Sequence, residues 1–305
     1  MEATFTYWAQ SPSQSEQTRC DNAVGVIRNA IGQHNVLGAM LRSHSIRVFV
    51  QGSYRNRVNV RADSDVDVGA LYTGSFFGTY PHGSDGESWG IPAAAYRYGQ
   101  FKTDLQQALS EYLGSSMVAR GNKSIKIRET SYHVEADVTP FFEHRMYSAP
   151  GSYVPGVALR PDKSSLPVVN YPEALFSWWP KEHYENGLDK HERTRRRYRG
   201  LVRILKKLRN QMEDGGSPAA RAIPGYLLEC LTWNAPDSCF DRYGWYPRVG
   251  AVLGYLGAQI DTGTGWQGWC EVDGIKPLFT QAQPWTLRQA RDFIGATWAY
   301  LGAQS

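Results

Sequence analysis

Asp65 and Asp67, separated only by Val66, are the residues whose spacing most directly suggests chemistry. On an extended segment, positions i and i+2 project to one face, so both carboxylates enter the same space. Like charges held that close repel, and the usual compensation is a divalent cation. Upstream, Ile46-Arg47-Val48-Phe49-Val50 reads as a short, β-branched buried strand that runs into Gln51-Gly52-Ser53-Tyr54. Gly52 permits a tight turn, and the Ser53 hydroxyl with nearby backbone N–H groups can cradle a phosphate. The competing reading is a turn whose aspartates cap local backbone.

A frame must position these groups, and 305 residues suffice to bury a large core in one large or two modest domains. Hydrophobic residues at 42% and charged residues at 20% are ordinary for a globular protein. The net charge of +4 permits a polyphosphate ligand but is too slight to argue for a long nucleic-acid partner. Cys20, Cys230, Cys239 and Cys270 form neither a C-x-x-C pair nor a zinc spacing with histidine, so reduced thiols in a cytoplasmic protein are expected. There is no basic-then-apolar leader pattern and no apolar run long enough to span a membrane, so a soluble chain is expected.

Taken in order, residues 1–12 carry no pattern and read as a loose lead-in. Ala23, Val24, Ile27, Ile31, Val36, Leu37, Met40 and Leu41 recur at helical steps over 13–43. A strand is expected over 65–72. Residues 73–99 are rich in Gly, Pro and aromatics and read as a surface loop, or as a lid over the substrate cleft. A helix over 101–113 precedes strands at 117–120, 124–128 and 132–138. Pro140, Pro150, Pro155, Pro161 and Pro167 then suggest irregular chain and a boundary near residue 160. Domains are therefore expected at 1–160 and 161–305, the second mostly helical. In it, Asn170 either reads a base edge with its amide or caps a helix after Pro172. Over 191–212, Tyr198, Leu201, Val202, Leu205, Leu208 and Met212 make an apolar stripe. Arg196, Arg199, Arg203, Lys206 and Lys207 lie opposite, either as a solvated face or as cations that neutralise a triphosphate. Further helices are expected from about 223 to 231 and from 286 to 301.

The Gly-Ser turn, spacer and Asp-x-Asp resemble the signature of the polymerase-β-like nucleotidyltransferases. Those enzymes carry a third carboxylate on a later strand, and Asp137 in Val134-Glu135-Ala136-Asp137-Val138 matches it. The longer set of motifs resembles the bacterial cGAS/DncV-like nucleotidyltransferases, or CD-NTases, most closely clade E. That set adds Asn59-Val60-Arg61, Asn170-Tyr171-Pro172, His183-Tyr184-Glu185-Asn186-Gly187, Val202-Arg203-Ile204-Leu205-Lys206 and Ile223-Pro224-Gly225-Tyr226-Leu227-Leu228-Glu229-Cys230.

The resemblance implies an α+β fold, a mixed nucleotidyltransferase sheet with helices plus a helical C-terminal lobe, with the active site between the two. It implies synthesis of a cyclic oligonucleotide, a dinucleotide containing pyrimidine, from nucleoside triphosphates such as ATP and UTP in anti-phage defence. By match, Asp65, Asp67 and Asp137 would hold two Mg²⁺ ions, with Mn²⁺ as a substitute. Gln51, Gly52 and Ser53 would meet donor phosphates, Arg203 or Lys206 the triphosphate, Tyr226 a base, and Asn170 a pyrimidine edge. A monomer is implied, with no long nucleic acid and no membrane, whose downstream effector binds the product. Many relatives carry Ser where Gly225 stands, which puts one phosphate contact in doubt. Two other readings compete: transfer of one nucleotide to an RNA end, a small molecule or a protein, and a catalytically silent nucleotide-binding module.

Overall fold

The structure, a computed structural model, describes residues 1–61, 65–170, 182–274, 276–281 and 283–303. Asp63, Ser64, Tyr171 and Pro172 of the sequence motifs lie outside the described residues. Its elements in order are α1 Glu2–Trp8, α2 Gln14–Gln33, α3 Asn35–Arg42, β1 Ile46–Gln51, α4 Gly52–Arg55, β2 Val66–Thr79 and α5 Tyr98–Leu113. Then come β3 Val118–Arg120, β4 Ile125–Ile127, β5 Ala136–Ala149, β6 Ser152–Leu159 and β7 Val168–Asn170. The helices α6 Glu182–Arg193, α7 Tyr198–Asp214, α8 Pro218–Ala222, α9 Gly225–Asn234, α10 Trp245–Asp261 and α11 Leu287–Ala303 complete the chain.

Two compact units result: a sheet unit of Gln14–Tyr54 and Ser64–Leu175, and a helical unit of Met1–Ser13, Arg55–Asp63 and Phe176–Ser305. The expected boundary near 160 thus falls later, because β7 pairs with β6 and keeps 168–170 in the sheet. Two segments of the expected first domain also change sides, one at its start and one inside it. Residues 1–13 and 55–63 belong to the helical unit.

In the sheet unit the strand order is β1-β2-β5-β4-β3, with β6 on β5 and β7 on β6. Among the described residues only β2 and β5 run parallel; the other pairs are antiparallel. One face of the sheet buries Val68, Val138 and Ile125 with Phe101, Leu105 and Leu109 of α5 and Ile27 and Ile31 of α2. The alternation of strand side chains therefore leaves the neighbouring positions for the opposite face.

Two strands are longer than the sequence suggested. β2 continues through Thr79, and β5 runs on to Ala149 and turns at Gly151 into β6. Pro140 and Pro155 sit inside paired strands, so the stretch expected to be irregular is a hairpin. The 73–99 segment begins as strand and then folds back as an aromatic cluster, with Tyr80 stacked on Tyr147 at 5.2 Å and Trp89 edge-on to it at 5.3 Å. This cluster lies beyond the end of β2 opposite Asp67, about 30 Å away at strand rise along the paired β5, so the segment does not cover the carboxylates as a lid would. The third expected strand, in contrast, starts only at Ala136, and residues 131–133 form a bend that exposes Tyr132 and buries His133.

The helical unit packs Leu201, Leu205 and Leu208 of α7 against Leu228 and Leu231 of α9, Val252 and Leu256 of α10, and Phe293 of α11. The expected loose lead-in is instead α1, whose Phe5 is 0% exposed in this core. A seven-residue helix is too short to announce itself by periodicity, and its burial decides its structure. Phe5→Ala is accordingly expected to cost about 3–5 kcal/mol of stability, read as a lowered denaturation midpoint. The helix expected over 191–212 is broken at 194–197, where Arg195 and Arg196 both have positive φ, so α6 ends and α7 begins at Tyr198.

Candidate active site

Strand register assembles the first part of the site. Gln51 pairs with Asp67, Asp67 with Asp137, and Asp137 with Lys126, so four strands contribute one row of polar side chains on one face. The adjacent row, Val50, Val68, Val138 and Ile125, forms the other face, where the last three are fully buried. A one-residue slip would exchange these rows, so burial of the valines fixes the placement of the carboxylates.

Gly52 follows Gln51 directly, at φ +66°, and opens α4 with Ser53 as its second residue. A Cβ on Gly52 would lie 2.0 Å from Asp67 Oδ2 and 2.8 Å from its Cγ. The Asp67 carboxylate therefore occupies the space that any other residue at 52 would fill. Asp137 accepts a hydrogen bond from Ser124 Oγ at 3.0 Å, and its Oδ2 lies 3.9 Å from Lys126 Nζ. Lys126 also meets Glu135 Oε1 at 3.5 Å. Asp137 first and Glu135 next push the Lys126 ammonium above the usual lysine range, and the Asp65 charge contributes in the same direction. Asp65 itself is exposed, just ahead of β2.

This donor set suits a hard divalent cation by type, since all three are carboxylates, and by register, since Asp67 and Asp137 are direct partners. Among the described residues, however, no three Asp, Glu, His or Cys side chains group tightly enough to form a ready cage. Two of the expected ligands are set side by side, and the third stands two residues upstream.

A second polar cluster lies within the helical unit, around the buried Glu229 of α9, which is 2% exposed. Its Oε1 accepts from His183 Nε2 at 2.9 Å and Asn56 Nδ2 at 3.3 Å, and its Oε2 lies 3.8 Å from Lys206 Nζ. Burial raises the Glu229 pKa, but His183, Lys206 and Asn56 together outweigh it and hold the carboxyl below the ordinary value. The Lys206 stem passes Gly225, where an added Cβ would make ordinary contact at 3.5 Å, so a serine there would fit.

Tyr226 stacks on the His183 ring at 5.6 Å and 25°, and its hydroxyl donates to Glu271 Oε2 at 2.7 Å. One ring neighbour is thus protein, where the sequence reading expected a base. Arg203 needs correction. Its Nε donates to the Ala9 carbonyl at 2.9 Å and its Nη1 to the Arg57 carbonyl at 2.8 Å, with Nη2 also on Ala9. All three nitrogens bind backbone, so Arg203 fastens α1 and the 55–63 segment to α7 instead of offering its charge to a triphosphate. Asn170 ends β7 opposite Val157, and its side chain lies outside what is described.

Lys126, Ser124, Glu135 and Glu229 were not singled out from sequence. Glu229 alone left a signal, a carboxylate flanked by apolar residues and three positions after Tyr226 on one helix.

His191 also bears on this unit. Burial, then the charges of Arg199 and Arg203, push it down to about 4. Its Nδ1 accepts from the Arg199 backbone N–H at 3.4 Å, which requires the unprotonated nitrogen. Because the folded pKa lies below the ordinary value, this contribution to stability is full above about pH 6.5. It is lost as pH falls toward 4. Thermal melts of His191→Gln are expected to show a shallower loss across that window than the wild type, and equal slopes would contradict it.

Comparison with known proteins places the chain in a family. Residues 185–302 match the family described as the cGAS/DncV-like nucleotidyltransferase C-terminal helical domain. The cyclic dipyrimidine nucleotide synthase CdnE of Cecembia lonarensis is 35% identical over 98% of this chain and 98% of its own. The protein of the same name from Legionella pneumophila is 34% identical over 98% of this chain and 97% of its own. The solved structure of the Rhodothermus marinus CdnE c-UMP-AMP synthase with Apcpp and Upnpp superposes with a TM-score of 0.79 at 27% identity, covering 99% of this chain and 97% of that one. With a shared mixed sheet, a shared helical domain and end-to-end relatives, the chain belongs to the cGAS/DncV-like nucleotidyltransferases, in the company of the CdnE synthases.

Proposed function

We propose that this protein joins two nucleoside triphosphates into a cyclic dinucleotide containing pyrimidine, a second messenger of anti-phage defence. The observation that carries the reading is the row Gln51–Asp67–Asp137–Lys126 beside the Gly52–Ser53 turn. In each step a ribose hydroxyl of one nucleotide attacks the α-phosphorus of another. A P–O bond forms, the α–β anhydride breaks, and pyrophosphate and a proton leave. Repetition within the linear product closes the ring.

Asp67 and Asp137 orient the reacting groups on the sheet face, and Asp65 completes the carboxylate set. What magnesium supplies, held by these three, is a lower pKa for the attacking hydroxyl and compensation of charge on the pyrophosphate. Ser53 and the backbone of α4 hold donor phosphates. Within the helical unit Lys206, which lies 3.8 Å from Glu229, is the cation suited to a triphosphate. The dipyrimidine products named for the Cecembia and Legionella relatives support a pyrimidine in the product. Incubation with four labelled triphosphates and Mg²⁺ tests this: a phosphatase-resistant product with the mass of a cyclic dinucleotide is expected. A labelled polymer, or label on an added acceptor, would refute it.

A further inference from the structure

Arg199, in the first turn of α7, keeps two of its donors unspent among the described residues. It is 7% exposed, yet among the described residues its Nε and Nη2 have no hydrogen-bond partner. Buried donors are nearly always satisfied, because an unmet one costs its full desolvation. The helix adds to the penalty. Arg199 sits at the N-terminal, positive end of a 17-residue helix whose first turn holds no acidic residue. Its neighbours in charge are cationic as well, since Arg199 opposes protonation of both His191 and Arg203.

What holds the guanidinium is an aromatic ring. Arg199 Cζ lies 5.6 Å from the Tyr184 ring centroid, and Arg55 Cζ lies 4.6 Å from the same centroid. Stacking fixes the plane of a guanidinium while leaving its edge donors unspent. Two cations on one ring repel each other unless an anion joins them. Arg203, one turn along the same helix, shows the contrast. All three of its nitrogens are spent on carbonyls. Arg55 closes α4, the helix that Gly52 and Ser53 begin.

We propose that Arg199 and Arg55, gathered on Tyr184, form an anion subsite that takes the phosphate chain of a nucleoside triphosphate. The proposal rests on the reading that such triphosphates are the substrates. A planar fork with two unspent donors matches two phosphate oxygens.

Calorimetric titration with a non-hydrolysable UTP analogue tests it on the full chain. Arg199→Met is expected to weaken binding about ten- to a hundredfold and to leave the weaker binding of uridine unchanged. Ligand-free Arg199→Met is expected to melt no lower than wild type, since it removes an unmet buried charge. Arg55→Met, at an exposed position, is expected to weaken the analogue in the same direction. Binding by Arg199→Met as tight as wild type overturns the proposal. So does a failure of that variant to fold, which would make the guanidinium a structural strut. If the wild type itself binds no triphosphate analogue, the functional reading fails before any variant is compared.

Discussion

Asp67→Asn is expected to lower the rate of cyclic product formation about a thousandfold or more while the protein stays folded. The substitution keeps size and shape. It therefore leaves the close contact with Gly52 and the strand pairing to Asp137 undisturbed. What it removes is the negative charge at the centre of the polar row. A neutral amide there leaves Asp137 facing Lys126 and Glu135 without its paired carboxylate. Circular dichroism and a melting curve establish folding, and quantified pyrophosphate release measures the rate. A well-folded Asp67→Asn enzyme with a tenth or more of wild-type activity would contradict the assignment.

Gly52→Ala is the second large effect, and it tests the site from the other side. The new methyl would need the position now held by Asp67 Oδ2, at 2.0 Å. Asp67 is short and anchored in β2, so its carboxylate has to swing away from the row. The left-handed φ of +66° adds backbone cost of about 1–2 kcal/mol for a residue with a Cβ. Both effects act at the turn, so kcat is expected to fall about a hundredfold or more, the cost of misplacing a reacting group, with only a modest loss of melting temperature. Wild-type activity in Gly52→Ala would show that Asp67 does not need its present place.

The local chemistry of this site was legible in the sequence. Gly52, Ser53, Asp65 and Asp67 lie within sixteen residues, and short-range rules connect them. Asp137 followed from resemblance, and the parallel pairing of β2 with β5 now gives it a physical place. Register across non-adjacent strands is what a single sequence leaves open. Lys126 enters the row only because β4 pairs antiparallel with β5, and nothing near residue 126 states this. The same limit explains α1 and the β5–β6 hairpin, where Phe5 and Pro155 take their structure from distant partners. Charge periodicity on α7 was visible, but which cation is spent on backbone is a tertiary fact. Arg203 and Arg199, four residues apart, turn out opposite in that respect.

The central claim is that Asp65, Asp67 and Asp137 together hold a divalent ion beside the glycine–serine turn. The direct test is a Mn²⁺ titration followed by electron paramagnetic resonance, run with a non-hydrolysable triphosphate on wild type and on Asp137→Asn. Wild type is expected to take up manganese in the presence of nucleotide, and Asp137→Asn to bind it at least about tenfold more weakly, the cost of one lost charged ligand. Equal uptake by the two proteins would mean that Asp137 is no ligand and that the carboxylate row serves some other purpose.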